Sequence, residues 1–325
     1  MKHRIVVTTH LPGDPVALLR ADPIGREAEI VRNEEPRVLE RAELLELVRG
    51  ANAILPIIPD RIDGEVMDAA GEGLEVIANY GVGYNNIDVE AARARGVVVT
   101  NTPDVLTEAT ADIAWLLVLN AARGALAANH DLREGLWPGW HPTQYVGKDL
   151  AGKTLLIVGM GRIGLAVARR ALGWRMRILY CARSPKPEAE AGPIDATRVE
   201  LEDGLREADV VSLHCPLTEE THHLIDAARL GMMKSDAILV NTARGPVIDE
   251  AALAAALDRG TIHAAGLDVF ENEPEVHPGI IENERVTLLP HVGSGSEEAR
   301  RGMTAIAVEN LLQALSGGVP PNRVD

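Results

Sequence analysis

Residues 155–164 read Leu155-Leu156-Ile157-Val158-Gly159-Met160-Gly161-Arg162-Ile163-Gly164, an apolar run that passes directly into three spaced glycines. The apolar run predicts a buried strand, and the helical pattern at 165–172 predicts a helix directly after the turn. We assign a separate role to each glycine: Gly159 permits the tight turn, Gly161 lets backbone approach a pyrophosphate, and Gly164 lets the helix pack closely on the sheet. The N-terminal N–H groups and the dipole of that helix attract an anion.

This glycine pattern alone also fits an ordinary strand-to-helix turn. A second strand, predicted at 176–182, stands where the other half of a βαβ unit is required, and this context favours dinucleotide binding. The residues predicted to bind the cofactor in this turn are Gly159, Gly161, Arg162, Ile163 and Gly164.

The end of the second strand bears on which dinucleotide binds. A free ribose 2′-OH usually meets an Asp or Glu about 20 residues beyond the glycines, whereas a 2′-phosphate needs a cation there. At that point this chain has Arg183, Ser184, Pro185 and Lys186, and the first Asp or Glu after the second strand is Glu188. The guanidinium fork suits a phosphate, and the serine adds a hydroxyl. We therefore favour NADP(H) over NAD(H); the alternative is that the two cations belong to a solvated loop.

Size and charge restrict the class of protein. The chain has 325 residues, enough for two domains, and a net charge of −16, which argues against nucleic acid or an anionic membrane surface as a partner. We find no apolar run of membrane-spanning length and no leader at the N-terminus, so we expect a cytoplasmic protein without a membrane partner. Cys181 and Cys215 lack metal-ligand spacing, so we expect free core thiols and no metal site.

Short apolar runs and helical patterns alternate on both sides of the glycine turn. Before it, strands are predicted at 5–9, 28–31, 53–55, 74–79 and 97–100, with helices at 15–21, 39–48, 64–70 and 89–94. After it, strands are predicted at 210–215, 237–241, 263–268 and 286–289. A long apolar helix at 105–122 is expected to lie buried between domains or subunits, and a final helix is expected at 297–315. This alternation predicts α/β domains with parallel sheets covered on both faces.

Residues 80–88 form a predicted loop at the carboxyl end of a strand, where ligands bind in open α/β sheets. Gly81 and Gly83 in this loop would leave backbone N–H groups facing an anion. A plain turn capped by Asn or Asp fits these residues equally well.

Three polar residues follow strand ends in the second half of the chain: Arg244, Glu273 and His291. Carboxyl ends of parallel strands converge on one crevice, so these side chains can meet. Beside a nicotinamide they suggest hydride transfer at a carbonyl, with Arg244 holding a substrate anion, His291 donating a proton, and Glu273 favouring the imidazolium by charge pairing. Taken singly, each residue also fits an ordinary solvated or structural role.

The chain resembles the D-2-hydroxyacid dehydrogenase family along nearly its whole length. Within that family it is most similar to the glyoxylate/hydroxypyruvate reductases. The motifs that carry the resemblance are GVGYNNID, TPDVLTEATADIAWLL, WPGWHP, GKTLLIVGMGRIG, LHCPLTEET, LVNTARGPVIDE, GLDVFENEP and LLPHVGS. The resemblance implies the roles given above for Arg244, Glu273 and His291. It also implies that the substrate is a small 2-oxo or 2-hydroxy acid.

The same resemblance implies further site residues and a domain organisation. The substrate carboxylate would bind the backbone N–H groups around Val82 and Gly83, and the loop at 183–185 matches the NADP type. The family fold implies two doubly wound parallel-sheet domains: a flavodoxin-like substrate domain (1–100 and 294–325) and a Rossmann cofactor domain (101–293). A homodimer is implied, and Trp140 resembles a tryptophan that reaches the neighbouring subunit's site in some of these reductases. The residues expected to line the nicotinamide side are Thr110, Thr242, Ala243, Asp268, His291 and Gly293.

Two other functions stay open at this level. One is oxidation of another small anion, phosphite or a longer D-2-hydroxy acid; segments at 59–63 and 137–145 are similar to phosphite dehydrogenase, but Val82 stands where that enzyme has a lysine. The other is a non-catalytic, cofactor-sensing scaffold like the corepressor branch of the family. Leu156 and Cys181 also depart from residues common among the reductases, although neither lies among the chemical groups.

Overall fold

The computed structural model describes residues 2–324, and the chain divides into two compact units. Unit 1 comprises Met1–Leu106 and Ser294–Asp325, and unit 2 comprises Thr107–Gly293. The first division lies six residues beyond the predicted bound at 100/101, just before the long apolar helix, and the second lies at 293/294. Both units are α/β structures built on largely parallel sheets, so the predicted fold class is confirmed.

The strands of the described residues, in chain order, are β1 Arg4–Val7, β2 Glu29–Arg32, β3 Ala53–Leu55, β4 Val76–Ala78, β5 Val98–Thr100, β6 Thr154–Val158, β7 Arg177–Cys181, β8 Thr197–Arg198, β9 Val210–Leu213, β10 Ile238–Asn241, β11 Ala264–Leu267, β12 Val286–Leu288 and β13 Arg323–Val324. The α-helices are α1 Pro15–Ala21, α2 Pro23–Glu27, α3 Arg41–Leu47, α4 Gly64–Ala70, α5 Val89–Ala94, α6 Thr107–Arg123, α7 Ala125–Arg133, α8 Arg162–Ala171, α9 Pro187–Glu190, α10 Leu201–Glu207, α11 Ala227–Leu230, α12 Glu250–Asp258, α13 Pro278–Ile281 and α14 Glu297–Leu315. Short 3-10 helices occupy Leu172–Trp174, Glu219–Thr221 and Gly245–Val247.

The sheet of unit 1 has the order β13-β5-β4-β3-β1-β2. Its strands are parallel except β13, which pairs antiparallel with β5. The helix α14 packs against β3, β4 and β5, and the hydroxyl of Tyr80 donates to the carbonyl of Arg300 at 2.9 Å. The C-terminal segment therefore completes the fold of unit 1.

The sheet of unit 2 is parallel throughout, with the order β12-β11-β10-β9-β6-β7-β8. Alternate residues of β6 point to opposite faces. Leu155 and Ile157 pack with α6 and α8, whereas Leu156 and Val158 pack with α10 and α12. Both faces are covered, which is why β6 is a continuous apolar run rather than an alternating one.

The structure differs from the sequence predictions mainly at element ends and in short elements. Helix α8 begins at Arg162 rather than at 165, because Gly161 acts as its N-cap. The elements α7, β8 and β13 were not predicted, since two-residue strands and a largely exposed helix leave little periodic signal. Cys181 and Cys215 are free thiols, as predicted.

Helix length and apolar composition decide whether a helix of the described residues could cross a bilayer. None of their helices is, by itself, long and apolar enough to cross a bilayer; α6 and α7 satisfy the length and composition criterion only as a pair bent by 70°.

Candidate functional site at the strand ends of unit 2

The glycine turn after β6 has the geometry that its three glycines predict. Gly159 has φ +97, and a Cβ there would stand 2.5 Å from the nitrogen of Cys215. A Cβ on Gly164 would stand 2.3 Å from the carbonyl oxygen of Gly159, so α8 meets the turn at a distance that only glycine permits. A Cβ on Gly161 would meet no atom within 4 Å. The turn is closed toward the protein and open at its middle glycine.

The first turn of α8 lacks the side-chain partners that usually satisfy a helix N-terminus. The carbonyl of Gly161 accepts the N–H of Leu165 at 2.9 Å, but this N-cap has no side chain, and the first turn holds no acid. An anion is a favourable partner for such a terminus, because helix N–H groups and the helix dipole both point toward it. The residues present therefore fit the pyrophosphate of a dinucleotide.

The loop after β7 is held from two sides. The guanidinium of Arg198 donates to the carbonyl of Ala182 at 2.9 and 3.2 Å and to that of Arg183 at 3.2 Å. The phenol of Tyr180 accepts the N–H of Lys186 at 2.8 Å and donates to Glu190. With both ends of the loop fixed, the side chains of Arg183, Ser184 and Pro185 stay exposed.

Glu273 and His291 are joined by a direct hydrogen bond. Nδ1 of His291 donates to Oε2 of Glu273 at 2.7 Å, and Oε1 of Glu273 accepts the N–H of Phe270 at 3.0 Å. Because Nδ1 is engaged by the carboxylate, Nε2 is the ring nitrogen left for a substrate. His291 also has φ +51, and its N–H donates to the carbonyl of Asp268 at 2.8 Å.

Arg244 lies in the electrostatic field of this pair. Its Nη1 donates to the carbonyl of Ala243 at 2.7 Å, and its own carbonyl accepts the side-chain amide of Asn241 at 2.8 Å. Burial lowers the pKa of Arg244, while the charge of Glu273 opposes that shift. Burial would raise the pKa of Glu273, but the hydrogen bond and charge of His291, with Arg244, bring it below its ordinary value. Arg244 and Glu273 thus act on one another through their charges, and Glu273 contacts His291 directly.

Asp268 organises the backbone that leads from His291. Its two carboxylate oxygens accept the N–H groups of Val292 at 2.8 Å and of Gly293 at 2.7 Å. Burial raises its pKa to about 6, although these two hydrogen bonds favour the ionised form. A Cβ on Gly293 would lie 3.1 Å from Asp268 and 3.4 Å from Thr110, so these residues of the predicted nicotinamide side are neighbours.

The remaining residues of that side lie at the end of β10. The hydroxyl of Thr242 lies 3.5 Å from Nδ1 of His214, whose Nε2 lies 2.8 Å from the hydroxyl of Ser212. Burial lowers the pKa of His214 to about 3, so its ring is neutral. The N–H of Ala243 donates to Asn241 at 2.9 Å.

His214 and Asn241 are absent from the residues that the sequence identifies, yet they position Thr242 and Ala243. His214 follows the end of β9, as the predicted chemical residues follow other strands, and that position was the available signal. Arg198, which holds the loop after β7, had no such signal, because it lies in a two-residue strand.

Val82 and Gly83 lie in unit 1, in the loop that follows β4. The carbonyl of Gly81 accepts the N–H of Thr102 at 3.0 Å, and the carbonyl of Val82 accepts the side-chain amide of Asn101 at 2.8 Å. In a trans peptide the N–H points opposite the carbonyl, so the N–H groups of Val82 and Gly83 point away from these partners.

Comparison with known proteins gives a family match and full-length relatives. Residues 115–293 match the family model described as "D-isomer specific 2-hydroxyacid dehydrogenase, NAD binding domain". A glyoxylate reductase of Thermococcus kodakarensis is 47% identical, over 100% of this chain and 97% of its own length.

Solved structures agree with this match over both units. A protein of Thermus thermophilus superposes with a TM-score of 0.90 at 48% identity, covering 99% of this chain and 100% of its own. An NADPH-dependent glyoxylate/hydroxypyruvate reductase of Sinorhizobium meliloti, solved with NADP and malonate, has a TM-score of 0.85 at 36% identity, covering 100% of this chain and 97% of its own.

Proposed function

Because this chain belongs to the D-isomer-specific 2-hydroxyacid dehydrogenase family, we propose that it reduces glyoxylate or hydroxypyruvate to the corresponding 2-hydroxy acid, with NADPH as the preferred cofactor. The observation that carries the proposal is the 2.7 Å hydrogen bond between His291 and Glu273, within the electrostatic reach of Arg244. Full-length relatives named glyoxylate reductase support the choice of substrate.

The proposed chemistry divides the work among three side chains. Arg244 binds the substrate carboxylate, since a guanidinium offers two parallel donors to a carboxylate. Nε2 of His291 donates a proton to the carbonyl oxygen that becomes the hydroxyl. Glu273 holds the ring in one orientation and stabilises the imidazolium by its charge. The nicotinamide, when bound, supplies the hydride.

Each unit also contributes proposed binding groups of its own. The backbone N–H groups of Val82 and Gly83 are the proposed donors to the substrate carboxylate from unit 1, whose substrate-binding role stays part of this proposal. In unit 2, Thr110, Thr242, Ala243, Asp268 and Gly293 are assigned to the nicotinamide side. Asp268 contributes by fixing the backbone after His291 through two hydrogen bonds.

The preference for NADPH rests on the loop after β7. Arg183 and Ser184 are exposed there on a backbone that Arg198 and Tyr180 hold in place. No acid precedes Glu188 in this loop to accept a ribose 2′-OH. The reductase of S. meliloti, whose structure contains NADP, supports the same assignment.

A panel of substrates tests the function as a whole. NADPH and NADH are each followed at the absorbance of the reduced nicotinamide, with glyoxylate, hydroxypyruvate and pyruvate, and in the reverse direction with phosphite. We expect the highest kcat/KM for NADPH with glyoxylate or hydroxypyruvate. Turnover of phosphite above both oxo acids would replace the proposal with the alternative enzyme, and no oxidation with any 2-oxo acid would favour a non-catalytic scaffold.

A substitution at His291 tests the assignment of the acid. His291→Ala should lower kcat for glyoxylate by at least about 100-fold, since a positioned general acid contributes that much or more. The dissociation constant for NADPH, measured by fluorescence titration, should stay nearly unchanged. Retained turnover would show that another group supplies the proton. The exposed His10→Ala, in unit 1, is the matched control and should keep wild-type activity.

A further inference from the structure

A second group of ligating side chains lies in unit 2, apart from the Arg244, Glu273 and His291 trio. It consists of His222 and His223, which follow the 3-10 helix Glu219–Thr221, and Glu271, which follows β11. The nitrogen and oxygen atoms that could bind a metal all lie within 4.8 Å of one another. These residues have no part in the proposed reaction.

The donor set is that of a transition-metal site. Two imidazoles with one carboxylate suit zinc and neighbouring divalent ions, whereas magnesium and calcium prefer oxygen ligands alone. Bonds of about 2.1 Å place ligands of one tetrahedral ion about 3.4 Å apart, so His222 must approach by up to about 1.4 Å and the hydrogen-bonded atoms of His223 and Glu271 must move slightly apart. The exposed side chain of His222 is free to turn by that amount.

Two of the three ligands are already held in place. Nε2 of His223 is hydrogen-bonded to Oε1 of Glu271, and the N–H of His223 donates to the carbonyl of Pro246 at 2.7 Å. The N–H of Glu271 donates to the buried Glu250 at 2.8 Å. His223 has φ +49, a conformation that costs free energy in residues other than glycine and that the surrounding contacts maintain.

The third ligand lies directly on the other two. The rings of His222 and His223 stack with centroids 4.1 Å apart and planes inclined by 28°. Neighbouring residues in extended chain point to opposite sides, so this stacking is a consequence of the left-handed backbone at His223. Both rings therefore face the side on which Glu271 stands, and solvent reaches them from the side of His222.

We propose that His222, His223 and Glu271 bind one divalent transition-metal ion of the zinc class. The ion replaces the proton shared by His223 and Glu271, and water fills its fourth position. The sequence predicts no metal site because Glu271 lies 48 positions beyond His223. The bound ion joins the segment after β9 to the segment after β11, two residues before Glu273. It therefore stabilises the folded form of unit 2 without touching the substrate.

Calorimetric titration with Zn²⁺ tests this proposal on the full-length chain, prepared without a histidine tag and treated with a chelator. We expect the wild type to bind one equivalent, and His222→Gln and Glu271→Gln each to weaken that binding at least tenfold. His10→Gln, at an exposed histidine outside the group, is the matched control and should bind as the wild type does. His222 is exposed, so its replacement leaves the fold intact.

Thermal unfolding gives a second readout. Zn²⁺ should raise the melting temperature of the wild type and of His10→Gln, and should leave that of His222→Gln unchanged. Zinc held instead by Cys181, Cys215 or the His291–Glu273 pair would be insensitive to His222→Gln, and that result would overturn the proposal. So would the absence of binding to the wild type at micromolar Zn²⁺.

Discussion

At the scale of single residues, His291 shows how the fold holds a reactive group. Its φ of +51 is rarely adopted by side-chain-bearing residues, and such strain persists only where surrounding contacts maintain it. Here the N–H donates to the carbonyl of Asp268 and the ring donates to Glu273. These two contacts fix the backbone and the ring of His291 together, so that its Nε2 atom points in one defined direction.

The pair formed by Glu273 and His291 should make stability depend on pH. The pKa of Glu273 is lowered from its ordinary 4.5, so the ionised carboxylate stabilises the folded state above pH 4.5. This stabilisation is lost as the pH falls below 4.5 and the carboxylate becomes protonated. The melting temperature of the wild type should exceed that of Glu273→Gln at pH 6, and the difference should shrink as the pH falls below 4.5. A constant difference from pH 7 to pH 4 would contradict this account. Glu188→Gln, at an exposed position, should show no such trend.

Arg183 should decide between the two dinucleotides. Replacing Arg183 with Ala removes a charge-assisted contact to a 2′-phosphate, so KM for NADPH should rise roughly tenfold or more. KM for NADH, which has no such phosphate, should change little. Initial rates with both cofactors at saturating glyoxylate measure the effect. Equal losses with both would remove the argument for NADPH; Arg206→Ala, at an exposed arginine paired with Asp203, serves as the control.

At the scale of elements, the approach of α8 to β6 depends on a glycine. A Cβ on Gly164 would stand 2.3 Å from the carbonyl oxygen of Gly159, a backbone atom that cannot turn aside as a side chain would. The same contact sets the direction in which the helix N-terminus points. Packing and anion binding at this turn are therefore two results of one geometry.

Replacing Gly164 with Ala should disturb both the packing of α8 on β6 and the binding of an anion at the glycine turn. We expect a loss of about 2 kcal/mol of stability from overpacking, together with weaker binding of NADPH. Thermal unfolding and fluorescence titration measure the two effects. Gly173→Ala is a matched control, because a Cβ there would meet no atom within 4 Å, and it should shift stability by less than about 0.5 kcal/mol. Wild-type behaviour of Gly164→Ala would mean that the helix moves away freely.

At the scale of the whole molecule, the segment after α6 leaves an apolar surface exposed. The side chains involved are Leu126, Leu132, Leu136, Trp137, Trp140 and Val146, and Trp140 is 83% exposed. Such a concentration of large apolar side chains marks an interaction surface. It supports the homodimer that the family resemblance implies, in which this part of unit 2 would be covered by a second copy of the chain.

Charged substitutions in that segment should separate the proposed dimer. Light scattering after size-exclusion chromatography should give twice the chain mass for the wild type and a lower mass for Leu136→Asp combined with Trp140→Asp. The mass should fall because each substitution would bury an unpaired carboxylate in an apolar interface, which costs free energy of association. Val319→Asp, at an exposed valine in unit 1, should leave the mass unchanged. A wild type of single-chain mass would refute the dimer.

Prediction from sequence succeeded where the signal is local. Helices α1, α4, α5 and α14 have the predicted bounds, because caps and apolar periodicity lie within each segment. Prediction failed for α7, which buries no residue, and for β8 and β13, which are too short to show a period. Strand β13 joins β5 across more than 200 positions, a pairing that no local pattern encodes.

The sequence by itself determined the βαβ unit and the residue types at the strand ends, because glycine spacing and apolar runs act through neighbours in the chain. Only the tertiary structure decided which side chains meet. Examples are the hydrogen bonds of Arg198 to the loop that carries Arg183 and the hydrogen bond of Asp268 to the N–H of Gly293. Another is the cluster of His222 and His223 with Glu271. Such contacts depend on sheet order and on the path of each loop. Sheet order and loop path are set by the packing of the whole unit, so a local sequence pattern does not predict them.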